Sequence, residues 1–153
     1  MSVLKTVAAA LLLGGSAMAM AANDGQARAN ELLSSDPQYR ETWTKVVKKE
    51  ERLPEWVMNL SGTSEQMNAV TEDGDKYLVG QLCETQDTCL NNRLILAFSL
   101  DKKDAYAMWV QVPAGLPADK SPTRHADYRF LGKPDEGMQN LLMETLKKDP
   151  KWY

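Results

Sequence analysis

The chain has 153 residues, enough for one domain with a core of its own. Its 18 Lys and Arg are outnumbered by 21 Asp and Glu, for a formal net charge of −3. That balance argues against nucleic acid or an anionic membrane surface as a partner, because both call for basic patches.

The N-terminus reads as a secretory signal. Lys5 gives a positive start, residues 6–13 are apolar, and Gly14-Gly15-Ser16 breaks the run. Ala17-Met18-Ala19 and Ala19-Met20-Ala21 both fit a small-x-small cleavage site. The apolar run is well short of the ~20 residues that span a bilayer, and no cysteine stands at the cleavage point to carry a lipid. Residues 1–21 are therefore expected to be removed on export to the periplasm, leaving residues 22–153 as a single domain. Losing Lys5 and no acid makes that domain slightly more acidic.

A weak helical pattern covers 27–33. Asp36-Pro37 is a stronger signal, with Asp suited to the N-cap and Pro to the first helical position. Tyr39, Trp43, Val46 and Val47 then recur at helical spacing, so a helix is expected over 37–49. Lys45, Lys48, Lys49 and Arg52 gather where cations suit the helix dipole, and Leu53-Pro54 stops the helix. Trp56, Val57 and Met58 read as an irregular segment covering the core.

Strands are expected over 65–70, 76–82, 93–99, 105–112 and 128–131. Glu72-Asp73-Gly74-Asp75 forms a turn before the second, a charged turn fills 101–104, and a proline-containing loop fills 113–122. The stretch 93–99 is apolar on both faces, which suits a strand covered on both sides. Pro134-Asp135 opens a final helix through Lys147, with Met138, Leu141, Leu142 and Leu146 on one stripe. Consecutive strands set between helical segments predict an α+β domain: an antiparallel β-sheet flanked by helices.

Little in the sequence supplies catalysis. His125 is the sole histidine and reads as an ordinary loop or strand-edge residue, with Asp127 nearby. Asp73-Gly74-Asp75 lacks the spacing of a calcium loop. The expectation is a non-enzyme with no metal site and no cofactor.

Cys83 and Cys89 are the only cysteines. In an exported chain they are expected to pair, since the compartment is oxidising, and their spacing is too wide for a Cys-x-x-Cys redox motif. A ring this short stabilises by about 2.4 kcal/mol in the chain-entropy account. Closed at the end of a hairpin, Glu84, Thr85, Gln86, Asp87 and Thr88 are either a stapled turn or a recognition loop ordered in advance of binding.

Leu53-Pro54-Glu55-Trp56-Val57-Met58, the strand into Cys83, the two-cysteine loop and the strand 93–98 together resemble the Ivy family, periplasmic inhibitors of vertebrate lysozyme. The likeness covers about Leu53 to Leu100 most clearly. It implies a sheet flanked by helices, frequent homodimers, and a protruding disulfide loop that plugs the lysozyme cleft. In the family the loop reads Cys-Lys-Pro-His-Asp-Cys, and its histidine engages the catalytic carboxyl groups. Here Glu84 stands for the lysine, Thr85 for the proline and Gln86 for the histidine. Asp87 is kept, and Thr88 is extra.

Gln86 can hydrogen-bond a carboxyl but is never cationic. Glu84 adds a negative charge, and like charges facing each other in an interface cost on the order of several kcal/mol. Losing proline and gaining a residue should loosen the tip. The resemblance therefore implies a muramidase-type partner with weak inhibition of vertebrate lysozyme. The alternative is a non-inhibitory periplasmic binding or structural protein with another partner, such as a lytic transglycosylase.

Overall fold

The computed structural model describes residues 28–117, 119–149 and 152. The expected signal segment and its cleavage site lie outside the described residues. Helix α1 (Ala29–Ser35) extends the weak pattern expected there, burying Ala29 and Leu32. Helix α2 (Pro37–Lys48) starts where Asp36-Pro37 places it, with Asp36 Oδ1 accepting from the Gln38 N–H at 2.8 Å. The other Asp36 oxygen takes Lys102 Nζ at 2.6 Å. Both bonds favour the carboxylate, so Asp36 is held below its ordinary pKa of 3.8, chiefly by Lys102.

The segment after Leu53-Pro54 is more regular than expected. It forms a single-turn helix, α3 (Glu55–Asn59), capped by Leu60 in the left-handed conformation. Trp56 and Val57 are buried from it as anticipated, whereas Met58 points outward and is 42% exposed, and the Val57 carbonyl accepts from the Trp43 indole at 3.0 Å. That bond locks α3 against α2.

The strands are β1 (Thr63–Ser64), β2 (Asn68–Glu72), β3 (Asp75–Cys83), β4 (Asn92–Ser99), β5 (Ala105–Gln111) and β6 (Asp127–Leu131). All pairings are antiparallel, in the order β1-β3-β4-β5-β6, with β2 also on β3. The expected strand over 65–70 is displaced to Asn68–Glu72. Met67 instead dives fully buried against Gly80, where a Cβ would stand 2.7 Å from Met67 Cγ. The edge of β3 is thus paired by two short pieces, β1 beside Leu82 and Cys83 and β2 beside Asp75 to Val79. The β2–β3 turn falls where the sequence placed it, with both Asp73 and Gly74 at positive φ. A short helix, α4 (Pro122–His125), ends the loop where none was expected. Helix α5 (Glu136–Lys147) is capped by Asp135, whose Oδ1 accepts from the Met138 N–H at 2.8 Å.

The period-two pattern of β3, β4 and β5 sends apolar side chains to both faces of the sheet. Leu78, Leu82, Leu94, Leu96, Phe98 and Trp109 pack with α1, α2 and α3, where Tyr39 meets Phe98 edge-on at 5.3 Å. Val79, Ile95, Ala97, Met108 and Val110 pack with Met138, Leu142 and Leu146 of α5 and with Trp152. The sheet is therefore the middle layer of a helix–sheet–helix sandwich, and β4 is buried along nearly its whole length.

Gly62 fixes the sheet edge at the root of the cysteine loop. A Cβ there would overlap the Cys83 carbonyl oxygen. Gly62→Ala is expected to push β1 off β3 and lower the unfolding free energy by about 1–3 kcal/mol, the usual range for overpacking. A urea unfolding midpoint checks this.

Candidate functional site

The hairpin of β3 and β4 carries the loop at its end. Cys83 is the last residue of β3, and it is bonded to Cys89 with their Cα atoms 4.9 Å apart. Pairing runs one residue past β3, because the Glu84 N–H donates to the Asn92 carbonyl at 3.3 Å. Glu84, Thr85, Gln86 and Asp87 are exposed and Thr88 is half-buried, so the structure brings all the expected loop residues together at one end of the sheet.

The tip has order of its own that the sequence reading did not anticipate. The Thr88 N–H donates to both the carbonyl and the hydroxyl of Thr85, each at 3.3 Å, and the two hydroxyls stand 2.8 Å apart. The Thr88 carbonyl then accepts from the Asn91 and Asn92 N–H groups at 2.9 Å. Thr88 thus closes a turn with Thr85. Among the described residues, the side chains of Gln86 and Asp87 have no hydrogen-bond partner.

Two further contacts hold the loop to the body. Asn91 bridges to the end of β5: its N–H side-chain amide donates to the Val112 carbonyl at 3.1 Å, and its carbonyl accepts from the Val112 N–H at 2.9 Å. Arg93 does more. Its side chain is only 2% exposed, yet Nε donates to the Cys89 carbonyl at 3.1 Å, and Nη1 reaches Gln81 Oε1 at 3.2 Å and Asp149 Oδ2 at 2.8 Å. Trp152 lies beneath the guanidinium, 5.5 Å from its ring centre. One buried cation therefore ties the loop stem to the C-terminal residues beyond α5. The signal available in the sequence was an arginine opening an otherwise apolar central strand, and it went unread.

Beside the loop runs an open groove of about 460 Å³. Arg52, Pro54 and Trp56 line it together with Glu84 and Asn92 of the loop root and with Trp109 of β5. Asn92 donates its side-chain amide to Glu84 Oε1 at 3.4 Å, which orients that carboxylate. Trp109 is nearly buried, with an indole N–H that has no partner among the described residues.

Elsewhere, His125 and Asp127 are exposed at α4 and the start of β6. Among the described residues there is no cluster of three or more metal-ligating side chains, and no helix is long and apolar enough to cross a membrane.

The family model of Inhibitor of vertebrate lysozyme (Ivy) matches residues 38–148, which take in the α2–α3 turn, the cysteine loop and the whole sheet core. The chain belongs to the Ivy family. An Ivy relative from Pseudomonas aeruginosa that is named Inhibitor of vertebrate lysozyme is 38% identical over 146 residues, 93% of this chain and 94% of its own. A second protein of Pseudomonas aeruginosa, of uncharacterized role, is 53% identical over the full length of both chains. An uncharacterized protein of Yersinia pestis is 38% identical over 120 residues, 78% of this chain and 77% of its own. The chain thus carries a disulfide-closed loop on the expected α+β scaffold.

Proposed function

We propose that this chain is a periplasmic, non-enzymatic Ivy protein that binds a muramidase-type enzyme by presenting Glu84, Thr85, Gln86, Asp87 and Thr88 to its cleft. The observation that carries this reading is a disulfide-closed loop with internal hydrogen bonds and with Gln86 and Asp87 unpaired at its exposed tip. A loop fixed before binding loses little further entropy on docking. Muramidases work with two carboxyl groups, one protonated and one ionised, and a Gln amide can donate to either. It brings no positive charge, and Glu84 adds a negative one.

Inhibition of vertebrate lysozyme should therefore be micromolar rather than nanomolar. Adding the purified mature chain to a hen-type lysozyme assay tests this, and nanomolar inhibition overturns it. The altered tip also favours another muramidase, such as a lytic transglycosylase of the same compartment, as the tighter partner. The signal-like pattern of residues 1–21 and the disulfide support export to the periplasm.

A further inference from the structure

The loop tip has lost its cation, but a cation stands at the groove beside it. Arg52 is exposed, and it lines the same groove as Glu84 and Asn92. Its backbone is left-handed, with φ 60°. A non-glycine residue is held there only when its surroundings dictate it, and such positions gather at binding sites.

The surroundings are visible. Arg129 of β6 donates to the Glu50 carboxylate at 3.0 Å and to the Glu51 carbonyl at 2.8 Å, clamping the turn between α2 and α3 from below. Pro54 restricts the turn from the other side. Glu50, two residues before Arg52, pairs with Arg129, while the adjacent Glu51 gives that arginine its carbonyl and keeps its own carboxylate. Arg52 makes no ion pair within the described residues, so its charge is left facing the groove and solvent.

We propose that Arg52 is a second recognition element, pairing with an ionised carboxylate in the cleft of the muramidase-type partner while the Cys83–Cys89 loop enters beside it. This rests on the reading of the loop as the partner-binding element. The chemistry fits an active site that keeps one carboxyl ionised, since a guanidinium can grip a carboxylate with two parallel hydrogen bonds. The loop's own carboxylate, Glu84, lines the same groove and is held at the loop root by the Asn92 amide at 3.4 Å. The cation of the interface has moved from the tip to the groove.

The test uses the full mature chain with its disulfide intact and titrates hen-type lysozyme by calorimetry. Arg52→Gly removes the charge while suiting the left-handed backbone, so folding is retained. It is expected to weaken binding about tenfold and to flatten the salt dependence. Arg52→Lys should recover part of that loss and Arg52→Glu should deepen it to about a hundredfold. Replacing the enzyme's ionised catalytic carboxylate by its amide should erase the difference between the parent and Arg52→Gly. Equal affinity of the parent and all three variants, with loop replacement still abolishing binding, overturns the role of Arg52 and leaves the loop reading standing. Absence of binding by the parent to any muramidase tried overturns both.

Discussion

Asp149→Ala is expected to lower the unfolding free energy by about 3 kcal/mol, the low end of the range for stripping the partner from a buried charge. Arg93 is the reason. Its side chain is 2% exposed at the loop end of the sheet, and Asp149, itself 22% exposed, is its one ionic partner among the described residues. Removing the carboxylate leaves the cation with only the Cys89 carbonyl, Gln81 and the Trp152 ring. The partial exposure of Asp149 lets water enter and keeps the cost from the top of the range. Arg93→Met should cost less, because it removes the buried charge together with its need for a partner. A comparison of the two variants by urea unfolding reads the difference. Amide exchange at Asn91 and Asn92 should quicken in Arg93→Met, because the stem loses its anchor at Cys89.

The second large effect concerns the tip. Glu84→Lys combined with Gln86→His should strengthen inhibition of hen-type lysozyme by tenfold or more, on the order of 1.4 kcal/mol for each factor of ten. The lysine removes a like charge from the cleft and the histidine restores a potential cation. Imidazole titrates near pH 6.5 when unperturbed, so the gain should grow as pH falls from about 7.5 to about 5.5. Inhibition constants measured across that range check both points. A variant that inhibits no better at pH 5.5 than the parent would mean that the loop does not meet the carboxyl groups.

Most of the scaffold was legible because local and global preferences agree. Asp36-Pro37 and Asp135 sit at the helix starts their chemistry favours, and alternation in 76–82 and 93–99 gives the two buried faces of the sheet directly. The β2 displacement was not legible, since only the contact of Met67 with Gly80 across strands decides where pairing begins. The brief helix α3 was hidden by its length, and its Leu60 cap uses a left-handed residue that propensity does not favour.

The site divides in the same way. The loop and its cysteines stand out in sequence because their spacing is local. Arg93 with Asp149 and Trp152 is a pairing across the fold, and Arg52 and Glu84 line one groove from distant parts of the chain; no window along the chain contains either. The Thr85–Thr88 hydrogen bonds are local but depend on a turn whose geometry the residue types alone do not specify. They alter one expectation: the tip is held by hydroxyls in place of a proline ring.

The central claim is that Glu84 to Thr88 meet the partner. Replacing those residues with a Gly-Ser stretch of the same length, with Cys83 and Cys89 retained, isolates the tip from the scaffold. Calorimetric titration of a muramidase with this variant should show binding reduced about a hundredfold or lost, with the urea midpoint close to that of the parent. Undiminished affinity of the Gly-Ser variant would contradict the account.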